Sequence, residues 1–354
     1  MISTIQYTNN NIHKCNINIT SNAPDWQSFF NKNPKTNIFH SPNWGLVMQQ
    51  AYQNQPIYIT ARREKEISGI LQIVSQKSRI FGAHLCSLPY FDTSGIVAKD
   101  EYSHDEIVKA AYQILVDERA DWLELRHDEP NINHIPNRQD KVTMHLFLPS
   151  EAAELWDKFN PKVRNQIRKA QKAGLKVKTG GKELLKNFYQ VYTRNMRDLG
   201  SPPHSVKFYN LITELFPDKI RLYIVYLNSQ PIAASFTLTD KQAMRVPWAG
   251  SDWRYRKLNA NMLLYWEMLA EGCRLGLSYF DFGRSTRDSG TYTFKKQWGA
   301  LEVPLFWNYL LPEGRSPPEL RPDNPKYHFA VSCWKKMPVW LSRYLGPRII
   351  KNLC

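Results

Sequence analysis

The chain has 354 residues, 47 Lys or Arg against 32 Asp or Glu, a formal net charge of +15 and 42% hydrophobic residues. That length suits two domains better than one core, and 11 Trp, 18 Tyr and 16 Phe exclude a disordered chain. The positive excess favours nucleic acid, anionic lipid or a phosphorylated ligand, whereas five scattered cysteines without a CxxC pair argue for a reducing compartment and against a disulfide framework or structural zinc.

The first twenty residues carry no basic segment followed by an apolar run, and no later run reaches spanning length. A cytoplasmic protein is expected, with contact at the inner face of the cytoplasmic membrane left open. The first domain, residues 1–149, starts its structure near Asn18. Ser41 and Pro42 are expected to open a helix in "IFHSPNWGLVMQQAY". Strands "PIYITARR" and "ISGILQIVS" follow, then the loop "LCSLPYFDTSG", a helix near Asp105 to Glu118, and strands "WLELRH" and "VTMHLFLP". Ser150 is the expected cap of the next helix, "EAAELWDKF".

Composition then changes sharply. From Lys158 to Lys182 there are nine Lys or Arg and no acidic residue, and a helix there sets Arg164, Arg168 and Lys172 four apart on one face. This is either a solvated linker helix or a dock for a phosphate-rich partner. The second domain, residues 150–322, continues with helices "KELLKNFYQVYTRNMRDLG" and "VKFYNLITELF" and strands "IRLYIVYL", "QPIAASFTLT" and "QAMRVPWAG". A long helix through "YRKLNANMLLYWEMLAEGCRLG" and the strand "LSYFDFG" complete it. Helices around a meandering sheet, with a late strand, helix, strand unit and no Rossmann fingerprint or P-loop, give an α+β fold of acyltransferase type. Residues 323–354 mix Trp, Leu and Ile with Lys and Arg, a segment that either packs back on the protein or lies in a membrane interface.

The chemistry concentrates in "YFDFGRSTRDSGTYTFKKQWG". Gly283 permits a turn that brings Arg284 and Arg287, two guanidinium forks for phosphate or carboxylate, toward the strand carrying Asp281. In the plainer reading Asp281 pairs with one of these arginines. Lys295, placed near the start of a short helix beside Phe294, is a candidate to neutralise the oxyanion formed when an amine attacks a carbonyl. Tyr292 lies in the same stretch, and Trp298 is either core or a wall of the substrate cleft. Arg256, Lys257 and Asn259, at the expected start of the long helix, suit a terminal phosphate of a nucleotide-carried acyl donor. In the first domain, Tyr90, Phe91 and Asp92 form a loop in which an acid beside aromatics can orient an amine or take its proton. The histidines, His134 among them, show no metal-ligand spacing, so no metal is expected, and no GxSxG or partnered cysteine supports a covalent acyl-enzyme.

"NMLLYWEMLAEGCRLG" followed by "FDFGRSTRDSGTYTFKKQWGA" resembles the C-terminal part of the FemAB family, peptidyltransferase-like enzymes of the GNAT superfamily. Within it the chain is similar to the branch associated with exosortase (PEP-CTERM) and exopolysaccharide clusters. "LPYFDTSG", "WLELRH", "KVRNQIRKAQKAGL", "VYTRNMRDLGSPPHS" and "CWKKMPVWLSRYLGP" extend the resemblance over most of the chain.

The resemblance implies two tandem GNAT-like domains with an acceptor cleft mainly in or beside the first. It also implies transfer from aminoacyl-tRNA to the amine of a lipid-linked precursor, with acyl coenzyme A as donor in more distant relatives. It matches Phe294 and Lys295 to the family's Phe-Lys pair, with Lys295 as electrostatic stabiliser. No long coiled-coil arm interrupts the second domain, and "RYRKLNAN" stands where acetyltransferases carry a glycine-rich pyrophosphate loop.

The leading expectation is therefore direct N-acyl or aminoacyl transfer to an amine of an envelope or exopolysaccharide precursor. The donor is a cosubstrate, aminoacyl-tRNA or acyl coenzyme A, with no tightly bound cofactor. A polyprenyl-phosphate-linked or polysaccharide amine is the acceptor, an anionic membrane surface is a candidate partner, and the oligomeric state stays open. The alternatives are an RNA-binding protein on a transferase fold and a membrane-peripheral scaffold of a polysaccharide or export system.

Overall fold

The computed structural model describes residues 15–78, 82–130, 135–318 and 325–353. His134, Cys354, the segment 1–14 and the expected domain boundary at 322 lie outside these. The described chain forms two compact units, residues 15–140, 304–318 and 351–353 in the first and 141–303 and 325–350 in the second.

In the first unit the strands are β1 (Cys15–Thr20), β2 (Gln55–Arg63), β3 (Glu66–Ser78), β4 (Gly82–Cys86), β5 (Val97–Ala98), β6 (Leu123–His127), β7 (Asn137–Arg138) and, much later in the chain, β16 (Phe306–Leu310). They order as β1-β2-β3-β4-β6-β16-β7 with β5 on β3. Alternation along β2 and β3 explains both faces of this sheet. Ile57, Ile59, Leu71 and Ile73 pack with Ile107, Ala111, Ile114 and Leu115 of helix α3 (Glu101–Asp117). The alternate residues Tyr58 and Ile70 pack with Trp26 and with Phe29 of helix α1 (Gln27–Lys32). Helix α2 (Asn43–Tyr52) begins after Pro42, as expected. Helix α3 begins four residues before Asp105 because the Asp100 carboxylate accepts the Ser103 N–H at 2.8 Å and caps it there.

The second unit holds β8 (Lys141–Phe147), β9 (Lys176–Gly180), β10 (Ile220–Leu227), β11 (Gln230–Thr239), β12 (Ala243–Ser251), β13 (Tyr279–Asp281), β14 (Ser285–Thr286) and β15 (Leu301–Pro304). Their order is β14-β8-β13-β12-β11-β10-β9, with β15 on β8. Strand β8, read from sequence as the end of a first domain closing at 149, sits here because it pairs with β13 and β14. Residues beyond Pro304, read as second domain, return to the first because β16 pairs with β6 and β7.

Helix α4 (Ala152–Lys158) starts one residue past Glu151 with no side-chain cap, so the expected capping by Ser150 is not made. The basic helix α5 (Pro161–Lys172) is capped by Asn160 and opens with a proline at its first turn. Its Val163, Ile167 and Ala170, spaced four and three apart, are buried in the core that also holds Leu264 and Met268 of α8 (Ala260–Arg274). The helix is thus part of the second unit's core rather than a linker, and its Arg168 lies over the Trp156 ring at 5.3 Å. Helices α6 (Leu185–Leu199) and α7 (Val206–Leu215) bring together Phe188, Tyr192, Phe208 and Tyr209, which pack on Phe236 and Trp248 of the sheet. The motif helix is α9 (Gly290–Lys296).

The terminal helices α10 (Pro325–Lys336) and α11 (Val339–Ile350) pack against α6. Arg343 donates to Thr193 Oγ1 at 2.8 Å, and Arg197 to the Met337 carbonyl at 3.0 Å. Among the described residues no helix is long and apolar enough to cross a membrane.

Candidate active site

Strands β12 and β13 run parallel for only three residues, Ala243 to Arg245 beside Tyr279 to Asp281. Beyond that point the chain after Asp281 stays with β8: Phe282 N–H bonds the Met144 carbonyl at 2.9 Å, and β14 pairs with Lys141 and Val142. Strand β12 runs on to Ser251 paired, among the described residues, with β11 alone. The two strands therefore part beside Gly283, whose φ of +74° turns the chain and whose missing Cβ would lie 3.2 Å from the Val246 carbonyl.

The turn is held from both sides. Asp281 Oδ1 accepts from Thr143 at 2.6 Å and from the Gly283 N–H at 2.8 Å, and Oδ2 accepts from Arg245 Nη1 at 3.0 Å. His145 Nε2 stands 3.7 Å from the same Oδ2, an ion-pair rather than hydrogen-bond distance. Arg245 also donates to Asp240 at 3.0 Å and to the Tyr279 hydroxyl at 2.8 Å. Burial alone would push the Asp281 carboxyl up, but its interactions with His145, Arg245 and Thr143 outweigh that and hold it well below the usual carboxylate range. On the other side of the turn, Lys295 Nζ donates to the Gly283 carbonyl at 2.6 Å and to that of Arg284 at 2.9 Å. Lys295 is 6% exposed and lies in the last turn of α9, not near its start, because Ser289 caps that helix by accepting the Tyr292 N–H.

The structure redistributes several expected roles. Asp281 pairs with Arg245, not with Arg284 or Arg287, and so is an internal brace rather than a surface ligand. Arg287 bonds Glu302 at 3.0 Å, and Glu302 also takes the Tyr292 hydroxyl. Trp298, 2% exposed and edge-on to Phe159 and Phe294, is core. Phe294 packs edge-on to Tyr265. Arg284 and Arg287 remain exposed at the turn.

The expected long helix is broken. Residues Trp253–Leu258 form a 3-10 turn in which Arg256 lies over the Trp253 ring at 4.5 Å, and Asn259, at φ +56°, separates it from α8. Arg256 and Lys257 thus sit on an exposed turn before the helix, and only Asn259 stands at its N-cap position, without a side-chain capping bond.

Asp92 belongs to the first unit and Lys295 to the second. In the first unit Phe91 is 2% exposed and stacked on Phe39 at 4.6 Å, a core residue rather than a substrate contact. Tyr90, at φ +75°, and Asp92 are half-buried. Their loop is fastened by Arg126, itself 1% exposed, which donates to the Phe91 carbonyl at 2.6 Å and to Glu124 at 2.6 Å. Sequence reading missed Arg245, His145, Thr143 and Arg126. The available signal was an ionisable residue inside an otherwise apolar strand, as in "QAMRVPWAG" and "VTMHLFLP".

Residues 157–296 match the acetyltransferase (GNAT) domain family profile. The crystal structure of FemX superposes with a TM-score of 0.62 at 14% identity, covering 80% of this chain and 94% of that one. The two domains are GNAT-like, in tandem. A tandem GNAT protein from the clavulanic acid biosynthesis pathway shares the fold at TM-score 0.52 and 10% identity, covering 86% of this chain and 100% of that chain. The C-terminal domain of a putative lysylphosphatidylglycerol synthetase from Agrobacterium fabrum gives 0.51 at 8%, covering 75% and 87%. No curated protein sequence matches the chain. In the second GNAT-like domain the matched segment contains β12, β13, Arg245, Asp281, Gly283 and all of α9 with Lys295, while Thr143 and His145 on β8 precede it.

Proposed function

We propose that the protein transfers an acyl or aminoacyl group directly to an amine, at the point where β12 and β13 part. The observation that carries this reading is the backbone of β12 from Val246 to Ser251, which among the described residues has no strand partner on the side away from β11. Such an edge can pair with an extended, amide-bearing donor arm, as strands accept peptides.

The acceptor nitrogen forms a bond to the donor's carbonyl carbon, and the tetrahedral oxyanion collapses as the carbon–oxygen bond of an ester donor, or the carbon–sulfur bond of a thioester, breaks. The amine's proton ends on the leaving oxygen or sulfur. Lys295, a cation held at the turn, is the group assigned to the developing negative charge. Arg284 and Arg287, with Arg256 and Lys257, supply exposed positive charge for a phosphate-bearing donor.

The GNAT domain match and the FemX likeness support the reaction class. An amine on an envelope or exopolysaccharide precursor is the proposed acceptor. Native mass spectrometry after incubation with charged tRNA and with mixed acyl coenzyme A tests the donor. Retention of charged tRNA favours aminoacyl transfer, and retention of an acyl coenzyme A favours N-acylation. Retention of neither, with no turnover, defeats the reading.

A further inference from the structure

A concave surface lined by no residue of β12 or β13 lies within the second unit. It is a groove of about 450 Å3 between the start of α6, the start of α7 and α11. The Tyr189 ring and Val206 give it apolar walls, and Lys182, Lys186 and Arg343 give it positive charge, against Glu183 alone. Arg343 is oriented rather than loose: its Nε donates to Thr193 Oγ1 at 2.8 Å, and its guanidinium lies 5.6 Å from the centre of the Tyr189 ring. Tyr189 is in turn fixed by donating to the His204 carbonyl at 3.1 Å. Lys182 is shared with Glu214 at 2.8 Å.

Helix α11 extends this surface. Ser342 and Gly346, one turn apart, face inward, and Gly346 meets Pro203 so closely that a Cβ there would lie 2.5 Å from Pro203 Cδ. The opposite face therefore points out, and it carries Trp340 at 69% exposure and Tyr344 at 59%. Arg348 stacks on Tyr344 at 3.9 Å. From Pro325 to Ile350 the sequence has five Lys or Arg and no Asp or Glu.

Large aromatics that remain outside after their helix has packed, beside oriented cations and an apolar-walled groove, have the chemistry of a lipid interface. We propose that this face docks on an anionic phospholipid surface, with Trp340 and Tyr344 entering the interfacial region and a headgroup phosphate held in the groove by Lys186 and Arg343. Charge complementarity selects the occupant, since basic residues beside interfacial aromatics are drawn to an anionic leaflet. The proposal does not depend on the acyl-transfer reading.

The test is cosedimentation of the full chain with phosphatidylcholine vesicles, with and without phosphatidylglycerol, at low and raised salt. Binding is expected only to the anionic vesicles and should weaken with salt. Trp340→Ser with Tyr344→Ser should reduce it about tenfold or more, as should Lys186→Glu. All three side chains are exposed, so folding should survive, and circular dichroism checks this. Trp340→Phe, which keeps an aromatic ring, should retain most binding. A protein that stays in the supernatant, or one whose partitioning ignores these substitutions, overturns the proposal. So does tRNA binding that Lys186→Glu removes while the vesicles are ignored, since the surface then belongs to nucleic acid.

Discussion

Replacing Asp281 by Asn changes one oxygen to an amide nitrogen at the centre of the second unit's polar cluster. If Asn Oδ1 keeps the Thr143 and Gly283 donors, its NH2 faces Arg245 Nη1, donor against donor. If the amide turns over, it faces the Gly283 N–H instead. Either orientation leaves a buried donor unmet and removes one counter-charge from Arg245, which is 5% exposed. Breaking a buried ion pair from one side costs about 3–5 kcal/mol. Arg245 retains Asp240 and the Tyr279 hydroxyl, so the lower end, about 3 kcal/mol, is expected. With a urea dependence of about 2 kcal/mol per molar, the midpoint of the second unit's transition, followed by tryptophan fluorescence, should fall by about 1.5 M at pH 7. The pH dependence has a definite sign. The folded carboxyl is held below its usual range, so its contribution is full above the unfolded value near about 4 and is lost as pH falls through the lower folded value. The gap between Asp281→Asn and wild type should therefore be constant from pH 5 to 8 (about three units) and close below about pH 4. A variant whose midpoint at pH 7 lies within about 0.3 M of wild type refutes the account of the brace.

Three further outcomes are expected. Lys295→Met should lower kcat by about a hundredfold or more with the fold retained by circular dichroism; full turnover removes Lys295 from the reaction. Gly283→Ala should destabilise by about 1–3 kcal/mol, since a side chain must be held at φ +74°, and thermal melts unchanged by the substitution would count against the strained turn. His127 and His204 are pushed down to about 3, both by burial, with His104's charge adding to the effect on His127. His127 Nε2 accepts the Ile96 N–H at 2.9 Å, which requires the neutral ring. The unfolded chain binds these protons first, so stability should fall as pH drops from about 6.5 toward 3, by up to about 1.4 kcal/mol per pH unit for each histidine. Urea titrations of His127→Gln and His204→Gln should show a shallower acid slope than wild type.

Much of this molecule was legible along the chain. The apolar, β-branched runs "PIYITARR", "ISGILQIVS" and "IRLYIVYL", and the spacing of Val163, Ile167 and Ala170, are local patterns that follow from backbone geometry, and they placed strands and helices within a few residues. The motif around Lys295 was equally visible, because a glycine turn between an acidic strand and a basic helix is written in consecutive residues. What the sequence could not decide was partnership at a distance. Asp281 pairs with Arg245, 36 residues away, rather than with the nearer Arg284 or Arg287, because parallel pairing sets residues 245 and 281 side by side on one sheet face. Strand β8 left the first unit, and β16 returned to it, for the same reason: strand pairing joins residues remote in the chain, and only the folded sheet selects the partner. Phe91 and Trp298 read as possible substrate contacts until packing buried them. The tertiary structure alone made the core, the brace and the gap between β12 and β13, since burial and charge pairing depend on neighbours that chain order does not name.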